Sequence, residues 1–249
     1  ALNTEYRSQI LIWMMTSLLM VVMMVVWLGV SENGAINGYS SGDFVAYYMV
    51  GWLVRTLTAV WSSWELDYAI RQGTLSPLLL RPIHPIHNEI AANWTEKIFR
   101  VALVLPITTV VLLLNPDAHV RLDVLSIGAF LLAIAGAWLL VFLSDYLVGM
   151  LAFWTSQTSA FITLLYGVRV LFSGIIAPLA MFPAGVQEAL RWSPFPYMLN
   201  FPAAILTKGV PQQEILFGFG MQAVWVIGLL LAVRGVWRLA MRSYSAVGA

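Results

Sequence analysis

Long stretches of this sequence contain no charged residue, and none occurs between Arg7 and Glu32. A helix needs about 20 mostly apolar residues to cross a hydrocarbon core of about 30 Å, so such a run is long enough to span a membrane. Charged residues make up only 10% of the 249 residues and hydrophobic residues 60%, whereas a soluble domain carries roughly 25% charged residues. The sequence therefore predicts an all-α integral membrane protein.

Charged residues mark the ends of the apolar runs, and on that basis we expect six transmembrane helices. No internal repeat of about 20 to 50 residues and no low-complexity linker divides the chain, so we expect one domain over residues 1–249. The predicted spans are approximately residues 10–30, 44–64, 98–114, 124–146, 159–180 and 215–233.

The distribution of basic residues predicts the orientation, because Lys and Arg concentrate in short cytoplasmic loops. A cytoplasmic N-terminus places eight basic residues inside or at the inner boundary and three outside. The inner set is Arg7, Arg71, Arg81, Lys97, Arg100, Arg234, Arg238 and Arg242, and the outer set is Arg121, Arg191 and Lys208. We therefore expect both termini and segment 70–82 to be cytoplasmic, and the turn at 32–43 to be external.

Motifs for catalysis by the chain itself are absent: there is no GxxxxGK[ST], HExxH or GxSxG sequence. The chain has no Cys, which excludes thiol chemistry, and its net charge of +1 with two lysines gives no nucleic-acid footprint. His84 and His87 stand three residues apart, but Pro85 interrupts regular helix there and no third ligand is close in sequence. We expect no metal site.

Two arginines fall inside predicted spans, Arg55 in span two and Arg169 in span five. A charge at that depth costs at least ~2.5 kcal/mol, so it usually faces a partner or a water-filled cavity. One interpretation is contact with an anionic substrate group, or a gating ion pair with Asp145 or Glu65. The other is snorkelling or a fixed interhelical bond. Arg55, Arg169 and Asp145 are thus pathway or gating candidates.

Segment 173–209 cannot be one uninterrupted helix, because proline breaks a helix interior. The short piece AGVQEALRW within it is amphipathic, with apolar residues on one side and Gln187, Glu188 and Arg191 on the other, which is typical of a helix at a membrane surface. We expect residues 177–205 to form a partly re-entrant cap over the outer end of a pathway. The prolines of the segment are Pro178, Pro183, Pro194, Pro196 and Pro202, and the apolar residues of the short piece are Val186, Ala189 and Leu190.

The segments RQGTLSPLLLRPIHP and FPAGVQEALRWSPFPYMLNFPAAILTKG, with the C-terminal YSAVGA, resemble permease subunits of ABC transporters of the type-2 (ABC-2) exporter superfamily. The resemblance is strongest to a bacterial branch encoded beside a separate ATPase and often a second permease. It covers nearly the whole chain, with TEYRSQ as a remnant of the N-terminal elbow helix. It implies six transmembrane helices, a cytoplasmic coupling helix after span two, and a Pro-rich external or re-entrant helical cap between spans five and six.

In such permeases the segment after span two docks in a cleft of the ATPase. The resemblance therefore makes Arg71, Gln72, Gly73, Leu75, Arg81 and Pro82 the ATPase-coupling candidates. The residue chemistry agrees, because glycine permits close backbone approach and arginine makes charge-assisted bonds to carboxylates. Leu75, Leu78, Leu79 and Leu80 would offer an apolar surface. The alternative is a solvated loop with a basic edge at the inner leaflet.

The resemblance also implies the partners. The chain itself would carry no cofactor and would not be an enzyme, since ATP and Mg²⁺ would be bound by a dimer of the partner ATPase. A second permease, identical or homologous, would complete a pathway lined by spans one, two and five. An amphipathic or lipid-like substrate (lipid, glycolipid, antibiotic or drug) would move outward across the bacterial cytoplasmic membrane, with membrane lipids and no nucleic acid as further partners.

Two other classes of protein remain open at this point. A secondary transporter or channel without an ATPase predicts inverted repeats and ionisable residues at the membrane midplane, but no repeat is visible and carboxylates are scarce in the spans. A membrane-embedded enzyme would need convergent His, Ser or carboxylate residues, and none is apparent.

Overall fold

The computed structural model describes residues 18–208 and 210–243, and within these ranges the chain forms helices and no β-strands. Four helical stretches are long and apolar enough to cross a membrane. The predicted all-α membrane protein is therefore confirmed. The count of six spans stays a prediction, because two of the expected spans correspond to shorter helices and the start of span one, TEYRSQ and YSAVGA lie outside the described residues. The four stretches are Ser41–Arg71, Ile86–Leu114, Val124–Phe153 and Gln212–Arg242.

Ten α-helices are described, numbered here in chain order. They are α1 (Leu19–Ser31), α2 (Ser41–Thr58), α3 (Ser62–Arg71), α4 (Leu75–Leu79), α5 (Ile86–Leu114), α6 (Val124–Gly149), α7 (Thr158–Phe172), α8 (Ala184–Arg191), α9 (Asn200–Leu206) and α10 (Gln212–Ser243). Short 3₁₀ helices cover Met150–Phe153, Leu179–Met181 and Phe195–Met198.

The bundle has two ends, which we name by the residues that lie there. At the Asp43 end, Lys208 Nζ lies 3.0 Å from Asp43 Oδ2, and α2, α6 and α10 begin. At the Arg71 end, α3 stops, α5 and α7 begin, and Arg71 Nη2 donates to the carbonyl of Thr155 at 3.2 Å. Each polar or charged loop therefore falls at one of these two ends.

Span two was predicted as continuous, but the structure breaks it after Thr58 and resumes at Ser62. The released carbonyl of Ala59 accepts hydrogen bonds from two α5 side chains, Lys97 Nζ at 2.6 Å and Asn93 Nδ2 at 3.1 Å. Because a freed carbonyl in an apolar setting is costly without partners, these side chains stabilise the break.

The helix of span three begins at Ile86, well before the predicted residue 98. The charged residues that suggested a loop lie on the first turns of the same helix, where Arg100 pairs with Glu96 four residues earlier. Hydrophobicity reports which part of a helix contacts lipid, and it does not report where the helix begins. The start of span three near residue 98 stays a prediction, and the helix that carries this span begins at Ile86.

Span five was predicted to reach residue 180, but α7 ends at Phe172. Gly174 has a φ of +105°, a conformation that L side chains rarely adopt, and a Cβ there would lie 2.3 Å from the Tyr47 hydroxyl. The following stretch is non-helical, and Gly174, Ile175, Ala177 and Pro178 are buried within it. Irregular backbone at membrane depth is tolerated when protein surrounds it, and this stretch meets that condition.

Side chains of α1 and α2 bind the carbonyls of this irregular stretch. The Tyr47 hydroxyl donates to the carbonyl of Gly174 at 2.9 Å, and the Tyr48 hydroxyl donates to that of Ile176 at 2.7 Å. Trp27 Nε1 also donates to Ile176, at 2.8 Å. Three aromatic donors thus replace the hydrogen bonds that a helix would have made.

Two apolar cores position these elements. The larger core surrounds α2, with Phe44, Tyr47 and Tyr48 fully buried against α6 and α9. The smaller core joins α3 to α6 at the Arg71 end and includes Leu66 and Phe142. The break in span two lies between the two cores, so α2 packs mainly in the larger core and α3 mainly in the smaller one.

Candidate functional site

The first candidate is the segment at the Arg71 end that joins α3 to α5. After α3 ends at Arg71, Gly73 adopts a φ of +71° and the chain turns into the five-residue helix α4. Glycine reaches such a φ without the penalty that a Cβ brings. The turn therefore depends on glycine at this position.

The coupling candidates divide into exposed residues and one engaged residue. Gln72, Arg81 and Pro82 are exposed. Arg71 is also exposed, yet its Nε donates to Asp67 Oδ1 at 2.8 Å and its Nη2 to Thr158 Oγ1 at 3.1 Å. Arg71 thus connects α3 to the start of α7, a contact that the sequence did not indicate.

Leu75 requires a correction, because it was expected to contribute to a docking surface. Its side chain is only 1% exposed and packs in the smaller core, so in this conformation it anchors α4. Leu80, 89% exposed, and Ile83, 55% exposed, form the apolar surface instead. A turn that Leu75 fixes to the core and that exposes Leu80 and Ile83 has a suitable shape for contact with another protein.

An open concave surface of about 530 Å³ runs along α3 beside this turn. Tyr68 and Trp64 are exposed on α3 and carry large apolar surfaces, while Glu65 and Asp67 supply negative charge. Because Arg71 pairs with Asp67 and lines the same surface, the surface is mainly apolar with Glu65 at its edge. Its lining residues are Trp64, Glu65, Asp67, Tyr68, Ala69, Arg71, Gln72 and Thr74.

The second candidate is the pair of arginines inside the bundle. Arg169 of α7 forms an ion pair with Asp145 of α6, in which the two side chains are 13% and 10% exposed. Arg169 Nη2 also lies 3.5 Å from the Ser144 hydroxyl. The structure thus brings together Arg169 and Asp145, one of the two pairings that the sequence allowed.

Arg55 has a different environment. Its Nη2 donates to the Tyr166 hydroxyl of α7 at 3.0 Å, whereas Nη1 is covered and has no hydrogen-bond partner. Among residues 18–208 and 210–243, no carboxylate oxygen lies within 4 Å of this guanidinium. Neither Asp145 nor Glu65 pairs with Arg55, so its charge is not balanced by a described side chain.

A comparison with protein-family models matches residues 11–248 to the model described as ABC-2 family transporter protein. The chain belongs to the ABC-2 transporter family. The ABC-2 resemblance seen in the sequence is thereby confirmed, and the protein is a multi-pass membrane permease component of an ABC transporter. The family generally works with an ATPase partner, and its members are transport components that are not catalytic by themselves. No curated protein and no solved structure matches the chain.

His84 and His87 of this ABC-2 permease lie at the Arg71 end, with ring centroids 6.5 Å apart. The Ile86 N–H donates to His84 Nδ1 at 3.2 Å, and the His84 ring lies 4.5 Å from that of Trp237. Burial lowers the pKa of His84, and the neighbouring His87 lowers it further. Over the part of the chain that the structure describes, no group of three or more His, Cys, Asp or Glu residues is placed to bind a metal.

Sequence reasoning missed the polar cluster at the break in span two. It assigned Lys97 to the cytoplasmic flank, but Lys97 is 4% exposed and binds Asn93 Oδ1 at 2.7 Å. Trp138 Nε1 donates to the same oxygen at 2.9 Å. The available signal was the i, i+4 spacing of Asn93 and Lys97, which places both side chains on one face of the permease helix α5.

Proposed function

We propose that this ABC-2 permease is the transmembrane subunit of an ATP-driven exporter and forms a single domain over residues 1–249. It moves an amphipathic or lipid-like substrate (lipid, glycolipid, antibiotic or drug) outward across the bacterial cytoplasmic membrane. A separate ATPase dimer binds ATP and Mg²⁺, and a second permease, identical or homologous, completes the transporter. The family membership supports this proposal.

The observation that carries the proposal is the anchored turn at the Arg71 end. Buried Leu75 fixes α4 to the core, while Gln72, Leu80 and Arg81 remain exposed around it. A segment that transmits force from a partner must be attached firmly on one side and accessible on the other. The exposed residues of 71–83 are accordingly the proposed ATPase-docking surface, and this end is the cytoplasmic one.

Helix α3 offers a route by which docking reaches the pathway. It carries the turn at one end and joins α2 through the break at Ala59 at the other. Arg71 also connects it to α7 through Thr155 and Thr158. A push on the turn would therefore shift α3 and α7 together against α2, which packs in the other core.

The pathway is proposed to lie between two permease subunits, lined by α1, α2 and α7. Arg55 of α2 contacts Tyr166 of α7, and Asp145 of α6 contacts Arg169 of α7. A shift of α7 therefore changes both contacts. The segment 177–205 would cap the outer, Asp43 end. Its helix α8 is connected to α10 by the Arg191–Glu214 ion pair, with 2.9 Å between Nη2 and Oε1.

Copurification tests the ATPase partner. The full chain would be tagged, purified in mild detergent from its native cell, and its copurifying proteins identified by mass spectrometry. Two variants alter the proposed docking surface, Gly73→Trp and Arg81→Glu. Arg121→Glu is the matched control, because it reverses an exposed charge at the opposite end.

Recovery of an ATPase with the wild type and with R121E, and its loss with G73W and R81E, would support the proposal. A second permease in the same sample would distinguish a heterodimer from a homodimer. Recovery of a stable chain without any ATPase would reject ATP-driven export and favour an ATPase-independent secondary transporter or channel.

A further inference from the structure

The exposed surface of α7 is divided into two faces of different character. One face carries Ser159, Thr163 and Tyr166, which recur at helical spacing and are all exposed. The face on the other side of the helix carries Phe161, Leu164 and Leu171, which are 46%, 64% and 49% exposed. Residues three and four apart share a helix face, so the polar and apolar residues form separate stripes.

A lipid environment suits only one of these stripes. The Thr163 hydroxyl is already bonded to the carbonyl of Ser159 at 2.9 Å, but a charge facing hydrocarbon is costly, so a charged residue within a membrane faces the protein interior, water or a ligand. Arg55 reaches the polar stripe through its bond to the Tyr166 hydroxyl. The stripe is thus a polar surface with a positive charge beside it.

Arg55 and Tyr166 together have the chemistry of a site that binds an anion. Arg55 keeps a positive charge with no carboxylate of the described residues nearby, and its Nη1 makes no hydrogen bond. The Tyr166 hydroxyl accepts from Arg55, and its own proton is donated to no described residue. By contrast, Arg169, which lies on the same helix as Tyr166, is neutralised by Asp145.

We propose that Arg55 and Tyr166 bind the anionic headgroup of a membrane amphiphile, a phosphate or carboxylate. The positive charge of Arg55 and the hydroxyl proton of Tyr166 can together bind the oxygens of such a headgroup. The biological role of this site rests on the proposed transport function and narrows the substrate class to anionic amphiphiles.

Binding can be measured without transport. The purified full chain in mild detergent would be titrated with phosphatidylglycerol and with phosphatidylcholine of the same acyl chains, and lipid binding measured by native mass spectrometry. Inorganic phosphate is the third probe, since it carries the anion without the chain. The variants are Arg55→Gln, Arg55→Lys and Tyr166→Phe, with Arg238→Gln, an exposed cation on α10, as the matched control.

We expect wild type to prefer phosphatidylglycerol by about tenfold or more, as a charge-assisted contact provides. Arg55→Gln should abolish the preference, Tyr166→Phe should reduce it, and R55K and R238Q should retain it. Inorganic phosphate should not compete at equal concentration. R55K keeps the charge at this position, so it supports the test even if R55Q does not fold.

Three results would overturn the inference: equal binding of the two lipids by wild type, an unchanged preference in R55Q, or equal competition by inorganic phosphate. A change in oligomeric mass in R55Q, with lipid preference intact, would assign the missing negative charge to a second permease copy instead.

The lipid-binding result is separable from the proposed function, because R55Q should still copurify with the ATPase. Loss of the ATPase from wild type would reject the exporter and leave the lipid measurement intact.

Discussion

Four basic side chains of this permease show different ways in which a membrane protein accommodates charge. Arg169 is paired with a carboxylate, whereas Lys97 donates to a backbone carbonyl and to an amide. Arg55 contacts only a hydroxyl, and Arg71 connects two helices at one end of the bundle. Each arrangement predicts a different response to substitution.

The Arg169–Asp145 pair should be strongly sensitive to removal of one partner. Asp145→Asn leaves the guanidinium without a counter-charge, and breaking a buried pair in this way costs about 3–5 kcal/mol. We expect the thermal midpoint of D145N in detergent, followed by fluorescence-detected size-exclusion, to fall well below wild type. The double variant D145N/R169Q should recover much of the loss.

The control is Glu214→Gln, which breaks the exposed Arg191–Glu214 pair. Exposed pairs contribute about 0–1 kcal/mol, so its midpoint should change little. Equal effects of D145N and E214Q would contradict the assigned burial. If the double variant is stable but does not transport, the ion pair contributes to gating as well as to folding.

Substitutions at the break in span two should follow a definite order. Lys97→Met leaves Ala59 bound by Asn93, but Asn93→Leu removes a donor to Ala59 and the acceptor for both Lys97 and Trp138. Each buried polar group without a partner costs about 1–3 kcal/mol. N93L should therefore be the more destabilised variant in the same thermal assay. The reverse order would mean that Lys97 is the main stabilising residue of the break.

At the level of whole elements, both departures from regular helix are supported by side chains from other helices. The break between α2 and α3 depends on α5, and the stretch after α7 depends on aromatic residues of α1 and α2. A helix satisfies its own backbone, so it can form before its neighbours pack. An irregular segment at this depth requires the completed tertiary structure.

The stretch after α7 provides a matched pair of substitutions. Tyr47→Phe removes the side-chain donor to the carbonyl of Gly174, whereas Tyr48→Phe leaves the carbonyl of Ile176 bound by Trp27. Both tyrosines are fully buried and both substitutions remove one oxygen. We expect Y47F to lower the thermal midpoint more, because an unsatisfied carbonyl costs about 1–3 kcal/mol. Equal midpoints would mean that the Gly174 carbonyl has another donor.

For the whole molecule, the two ends of the bundle differ in a way that suggests opposite sides of the membrane. The Arg71 end carries the anchored turn and the exposed Arg234, Arg238 and Arg242, whereas the Asp43 end carries the short helices between α7 and α10. Basic residues are typical of cytoplasmic loops. We therefore predict that the Arg71 end is cytoplasmic.

The absence of Cys allows a direct test of this orientation, because a single introduced thiol is labelled without background. Leu80→Cys, at a position 89% exposed, should react with a membrane-impermeant maleimide only in inside-out vesicles. Arg121→Cys, at the other end, should react in intact cells. The reverse labelling pattern would invert the proposed topology and place the docking turn outside the cell.

Much of the fold was predictable because lipid restricts what a sequence can do. Mostly apolar runs such as 124–146 predicted helices, and α6 covers that range. Gly73 was singled out because glycine permits close backbone approach, and Asp145 as a possible partner of a buried arginine. These inferences depend on local composition or on the high cost of an unpaired charge, which do not require knowledge of the neighbours.

The sequence by itself determined the membrane class, the ABC-2 family and the approximate position of the long helices, since each follows from residues close together in the chain. Only the tertiary structure decided that α7 stops at Phe172, that Leu75 is buried, and that Arg169 pairs with Asp145 while Arg55 does not. These features depend on contacts between residues far apart in sequence. The free energy of these contacts arises only when the helices have packed, so a local sequence pattern cannot predict them.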